Sequence, residues 1–237
     1  MELAAHLCMS RGLGRRIGEI GAMATIFVAI AVLSPLCAAG KSETLQRFLA
    51  LDDPEPYQFR AIRHLEARND HFGKSATMDV WTEGNGNGFQ YQIIAESGSE
   101  YIRSRVFRET LETERAMWAA GSAAGAALTP ENYDFEEAGV QPDGSPSLNV
   151  KPRRKDVLLV NGTIFLNPED GDLVRMEGFL AKTPSFWTRR VSITRWYKRF
   201  AGVRMPVALE STANVRIAGQ STFRMTYEYE SVNGHHF

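Results

Sequence analysis

The sequence predicts a mostly β, α+β fold built on a large antiparallel meander, and three observations carry that expectation. The first is a long alternation from Met205 to Ser231, interrupted once at Ala218-Gly219-Gln220. Before the break Val207, Leu209, Ala213, Val215 and Ile217 share one parity, and Glu210, Thr212, Asn214 and Arg216 the other. After it Phe223, Met225, Tyr227 and Tyr229 alternate with Arg224, Thr226, Glu228 and Glu230. Successive strand side chains point to opposite faces, so this is a hairpin, dry on one side and wet on the other. Such a hairpin cannot bury its apolar face alone and must be covered by more sheet or by a helix. The second observation is the recurrence of turn signals at intervals of roughly eight to fifteen residues. The third is one stretch, Ser97 to Trp118, where the period changes to that of a long helix.

Taken in order, the 237-residue chain opens with a segment that reads as a signal peptide over residues 1–39. Arg11, Arg15 and Arg16 form a basic start, Ala22 to Leu36 an apolar run, and Cys37-Ala38-Ala39 places small residues before Gly40. The apolar run is about 15 residues, short of the ~20 that cross a bilayer; a retained membrane anchor is the alternative. Both cysteines, Cys8 and Cys37, lie in this segment. Its removal leaves residues 40–237 without a disulfide or a thiolate. Roughly 200 residues suit a single domain with a sizeable core.

Lys41 to Leu51 is spaced for a helix, with Leu45, Phe48 and Leu49 apolar and Ser42 as N-cap; Pro54 and Pro56 end it. Strands are expected over Phe59–Ala67 and Ala76–Trp81, then a turn over Glu83–Gly88 and a strand over Phe89–Ala95. That glycine-rich turn lacks the Lys-Ser/Thr of a phosphate loop and runs into a strand, so no helix N-terminus awaits an anion there. In the long helix Ile102, Val106, Phe107, Leu111, Met117 and Trp118 fall on one side, Ser97 or Ser99 can cap its start, and Gly121 can end it. The small-residue tract Ala119–Ala127 connects it to the rest. A short strand at Tyr133 and Phe135, a loop over Val140–Ser147, and strands over Leu148–Pro152 and Val157–Leu166 follow. A turn over Asn167–Asp172, a strand over Leu173–Leu180, the loop Thr183-Pro184-Ser185 and a strand over Trp187–Phe200 lead to the closing hairpin.

Lys plus Arg number 27 against 28 Asp plus Glu, a balance that gives no electrostatic argument for nucleic acid. The basic residues Lys151, Arg153, Arg154 and Lys155, and Arg189, Arg190, Arg195, Lys198 and Arg199 around Trp196 and Tyr197, read as a solvated strand face rather than an anion or headgroup site. His64, His71, His235 and His236 have no metal-ligand spacing, and Asp170 and Asp172 suit a tight turn. No nucleophile elbow occurs. We therefore expect no catalytic residue, metal or cofactor; a hydrolase would need convergent polar groups such as His64, Asp79 or Glu177. The remaining signal is a surplus of apolar strand faces over the single long helix that could cover them. Such a surplus either fills a core or leaves an apolar concavity for a greasy ligand.

The leader, the N-terminal helix, the first strands with Leu65-Glu66-Ala67-Arg68-Asn69, a helix after the fourth strand, the run Leu173-Val174-Arg175-Met176-Glu177-Gly178-Phe179-Leu180 and the ending from Tyr197-Lys198-Arg199-Phe200 through Met205-Pro206 together resemble the outer-membrane lipoprotein-sorting (LolA/LolB-like) superfamily. The resemblance implies a curved antiparallel sheet forming an unclosed β-barrel, its concave side covered by helices. It implies a periplasmic, non-enzymatic monomeric carrier or sensor of lipid or lipoprotein acyl chains. The expected cavity residues are Phe59, Leu65, Met78, Val80, Tyr91, Ile93, Ile102, Val106, Leu111, Met176, Phe223, Met225 and Tyr227, with Arg60 and Arg63 as candidates for closing the lid. The alternative is an envelope protein–protein interaction module with a filled core.

Overall fold

The structure is a computed structural model that describes residues 42–51, 53–54, 56–121, 126–183, 188–215 and 219–237. Residues 1–41, which include the expected signal peptide, residues 122–125 of the small-residue tract, residues 184–187 of the expected loop and strand start, and the hairpin tip at 216–218 lie outside the described residues. Helix α1 is Glu43–Ala50; the strands are β1 Phe59–Asn69, β2 Lys74–Asn85, β3 Gly88–Gly98, β4 Tyr133–Val140, β5 Pro146–Pro152, β6 Val160–Leu166, β7 Leu173–Leu180, β8 Thr188–Phe200, β9 Val203–Val215, β10 Gly219–Val232 and β11 His235–His236. Between β3 and β4 runs a helix, α2, made of Glu100–Ile102, a π-helical turn Arg103–Arg108 and Glu109–Ala119.

The strands form one 11-stranded sheet in the order β3-β2-β1-β10-β9-β8-β7-β6-β5-β4, with β11 added beside β10. Every pairing is antiparallel. Each strand after β4 pairs with the next in sequence, and β10 returns to β1, so β3 and β4 are left as the two edges of an unclosed barrel.

Register places the apolar parity of every strand on one face. Met78, Leu65, Met225, Leu209, Arg195, Met176, Ile164 and Leu148 are successive cross-strand partners from β2 to β5. One residue along, Thr77, Glu66, Arg224, Glu210, Thr194, Glu177, Thr163 and Asn149 make a wholly polar row on the other face. A slip of one residue would exchange the two rows, so burial pins the register.

The inner face carries two cores. The first joins β10, β1, β2 and β3 to α2 through Leu65, Met78, Val80, Phe107 and Leu111, all with no exposed surface. The second joins β4 to β8 to α1 through Phe48, Leu148, Leu159, Ile164 and Leu166. Each helix therefore does the covering that its own half of the sheet cannot do for itself.

Several expected boundaries differ. Ser42 caps α1 as read, its Oγ accepting from Leu45 N at 3.2 Å. Ser97, by contrast, belongs to β3 and pairs with Thr77 Oγ1 at 2.9 Å, while Ser99 holds the N-cap position of α2 without a side-chain cap bond. The helix also changes pitch. Ile102 and Phe107 are both buried though five residues apart, and the π-helical turn takes in the extra residue that lets both face the sheet. Val140–Ser147 is not a loop throughout: β4 runs to Val140 and β5 begins at Pro146. Glu83–Gly88 is not all turn either. β2 continues to Asn85, and a Cβ on Gly84 would lie 2.5 Å from Phe59 Cε1 and 2.6 Å from Trp118 Cζ2, so glycine there admits the end of α2 against the sheet.

Candidate functional site

The inner face beneath α2 is the place where the expected binding residues meet. Phe59, Leu65, Met78 and Val80 from β1 and β2, Tyr91 and Ile93 from β3, Ile102, Val106 and Leu111 from α2, and Phe223, Met225 and Tyr227 from β10 belong to one cluster. Phe59, Leu65, Met78, Val80, Ile102, Leu111 and Met225 are buried within it, whereas Tyr91, Ile93, Val106, Phe223 and Tyr227 are partly buried. Met176 lies instead in the second cluster, with α1. In this closed arrangement the side chains pack on one another. An open groove of about 600 Å³ lies on the opposite face, where Asp134, Glu136, Asn149, Lys151, Thr163 and Glu177 line it together with Val150, Phe179 and Ile193.

Two arginines were candidates for fastening the helix, and their surroundings are unlike. Arg60 is on the outer parity of β1, exposed, with Nε 3.4 Å from Glu83. Arg63 is 2% exposed on the inner parity. Its Nη1 and Nη2 donate to the two carboxylate oxygens of Glu114 on α2 at 2.5 and 2.8 Å, and its Nε donates to Thr82 Oγ1 at 3.1 Å. Thr82 in turn donates to Ala61 O, so each polar atom of the group is accounted for. The guanidinium lies over the rings of Phe59, Phe89 and Tyr227 at 5.7, 5.2 and 4.8 Å. Burial would lower its pKa, but the Glu114 carboxylate overrides this and holds the charge more firmly than usual. A charge so placed is a polar fastener between sheet and helix within an apolar core. At the other end of α2, Glu96 of β3 accepts from Arg103 at 2.6 Å and from Arg108 at 2.8 Å.

Tyr227 and Tyr229 extend the aromatic floor, their rings stacked with centroids 6.0 Å apart. Burial pushes the Tyr227 phenol up to about 12 and that of Tyr229 well above its ordinary value, so both stay protonated donors at neutral pH. Tyr229 donates to Pro206 O at 2.8 Å.

The strand basic residues are not one solvated face. Arg199 and Arg204 both donate to Asp172, Arg199 Nε at 2.8 Å and Arg204 Nε at 2.9 Å, and Arg204 Nη1 reaches Asp53 at 2.7 Å. Asp172 is desolvated, which by itself would raise its pKa, but the hydrogen bonds from Arg199 and Arg204 win and hold it below the usual carboxylate range. It fastens the turn before β7 to the β8–β9 hairpin, a role beyond the turn-forming one read from sequence. Arg195 occupies the inner parity, between Leu209 and Met176. His64 Nδ1 lies 2.5 Å from Asp79 Oδ1 on the outer face of β1 and β2, whereas Glu177 is on β7, so these three groups do not converge. Among the described residues no cluster of three or more His, Cys, Asp or Glu is arranged to hold a metal, and no helix is long and apolar enough to cross a membrane.

No protein-family model and no curated protein matches this chain. Solved structures similar to it include a LolA superfamily protein from Nitrosomonas europaea, at 10% identity and TM-score 0.37, covering 78% of this chain and 90% of that one. A putative outer membrane lipoprotein-sorting protein domain from Vibrio parahaemolyticus is similar at 11% identity and TM-score 0.39, covering 81% and 90%. A DUF1329 family protein from Desulfovibrio piger is similar at 8% identity and TM-score 0.37, covering 73% and 84%.

Proposed function

We propose that this chain is an exported, non-enzymatic carrier or sensor that takes the acyl chains of a lipid or lipoprotein on its inner face when α2 lifts from the sheet. The observation that carries the reading is Arg63, a buried charge in an apolar cluster, spent on holding one helix to the sheet through Glu114. Buried ion pairs contribute little net stability compared with a well-packed apolar substitute. They do make an attachment specific and reversible, which suits a lid whose release uncovers Tyr91, Ile93, Val106, Phe223 and Tyr227 for an apolar guest. The helix itself has few buried apolar residues among those described, Ile102, Phe107 and Leu111. Titration of delipidated protein with a fluorescent fatty acid tests the reading. Micromolar or tighter binding supports it, and no binding by folded protein removes it.

A second reading has its own observation. The residues expected to line a cavity are packed to 0% exposure at Leu65, Met78, Val80 and Leu111. A filled core of this kind fits an envelope interaction module that works through its rim and its outer groove. Absence of fatty-acid binding together with capture of a protein partner would favour it.

A further inference from the structure

The inner face holds a second arginine that the carrier reading leaves without a task. Arg195 on β8 lies at the seam between the two cores: its cross-strand neighbours are Leu209 on β9 and Met176 on β7, both apolar members of the second core, and beyond Leu209 stands Met225 of the first. Its Nε is buried without a hydrogen-bond partner. Among the described residues two other arginines, Arg103 and Arg175, share that feature, but each has a carboxylate within ion-pair reach, Glu96 at 2.6 Å and Glu177 at 3.7 Å. Among the described residues no carboxylate or carbonyl pairs with Arg195. Its neighbourhood includes two phenols, Tyr227 and Tyr133, of which Tyr133 accepts from Val160 N at 3.2 Å. The contrast with Arg63 is direct: the two cations share one apolar face and the Tyr227 neighbourhood, yet among the described residues Arg63 has a carboxylate partner and Arg195 has none.

A guanidinium cannot shed its charge, and Arg195, partly exposed at the seam, keeps its buried Nε unsatisfied and its fork without a carboxylate, so an anion from outside would complete it. We propose that Arg195 receives the anionic headgroup, a carboxylate or phosphate, of an amphiphile whose chain lies on the inner face, so that the ligand class is an anionic rather than a neutral lipid. The inference rests on the carrier reading and sharpens it. The forked donors of the guanidinium match the two oxygens of either headgroup. The Tyr227 phenol, protonated at neutral pH, is a second donor on the same side. The chain would then run from the seam along the partly buried residues Phe223, Tyr91 and Ile93, beneath α2.

The test compares three probes on the delipidated full chain: a long-chain fatty acid, the fatty alcohol of equal length, and acetate or inorganic phosphate without a chain. The proposal expects the acid to bind about ten- to a hundredfold more tightly than the alcohol, the range of one charge-assisted pair. Arg195→Met should bring the acid down to the alcohol, and Arg195→Lys should restore part of the preference. Because the native charge is unpaired, Arg195→Met should also leave the urea midpoint unchanged or raised. Equal binding of acid and alcohol by the wild type overturns the headgroup assignment while leaving the carrier reading in place. Failure of both to bind removes the carrier reading itself. Binding of the short anion as tightly as the acid would show a free-anion site with no place for a chain, and would also overturn the proposal.

Discussion

Replacing Arg63 by methionine is the sharpest perturbation of the helix attachment. Methionine keeps most of the length and apolar contact of the side chain over Phe59, Phe89 and Tyr227 but removes three donated hydrogen bonds, two to Glu114 and one to Thr82. Glu114 is then left facing an apolar cluster without its cation. Breaking a buried pair from one side costs about 3–5 kcal/mol. Glu114 retains 28% side-chain exposure and can regain some water, which points to the lower end, about 3 kcal/mol. Adding Glu114→Gln removes the orphaned charge and should recover at least half of that loss, since a buried pair replaced from both sides is close to neutral. Urea unfolding of wild type, both single variants and the double variant gives the full cycle from the midpoints and slopes. A loss below about 1 kcal/mol for Arg63→Met, or no recovery in the double variant, would refute the reasoning that this pair fastens α2.

Three further outcomes follow from the packing and from one titrating group. Gly84→Val should destabilise by about 1–3 kcal/mol, because its side chain meets Phe59 and Trp118 where no space exists; thermal melting checks it, and an unchanged midpoint would contradict it. Gly162→Ala should cost at least as much as Gly84→Val in the same melts, since its Cβ would stand 2.0 Å from Glu177 O, a backbone atom that cannot rotate away. His64 is raised above its ordinary pKa by its hydrogen bond with Asp79, and then by Glu66. A raised folded value means that its contribution is fully present below the unfolded pKa, about 6.5, and is lost as pH rises through the folded one. With the pair 44% exposed on both sides the effect is small. The ring-proton titration by NMR should show a midpoint above that of a free histidine, falling back toward it in Asp79→Asn; a wild-type midpoint at or below the free value would contradict it.

How much of this was legible depended on whether a feature shows itself as period. The inner row through Leu65, Met78, Met225 and Leu209 is written in the alternation of each strand, and so are the polar row opposite and the antiparallel order. Arg195 shares the parity of Val191 and Ile193, so alternation alone would set it inside, but its charge reads as part of a solvated strand face. The π-helical turn at Arg103–Arg108 leaves no mark in the apolar spacing, which reads as one side of a regular helix through Ile102, Val106, Phe107 and Leu111. Asp172 pairs with Arg199 on β8 and Arg204 on β9, and Arg63 with Glu114 across 51 positions, and long-range pairs of this kind leave no mark in a local pattern. Gly84 read as turn because glycine is common in turns, whereas here it makes room for Trp118. Most of all, local sequence could count apolar faces without showing whether they close on each other, and beneath α2 they do.

The central claim is that an acyl chain belongs on the inner face. Native mass spectrometry of the protein purified without detergent tests it most directly. The account predicts a population carrying lipid mass that is released on activation, bearing an anionic headgroup, and reduced in Arg195→Met. Folded protein found at its bare chain mass alone, and still bare after incubation with fatty acid, would contradict it.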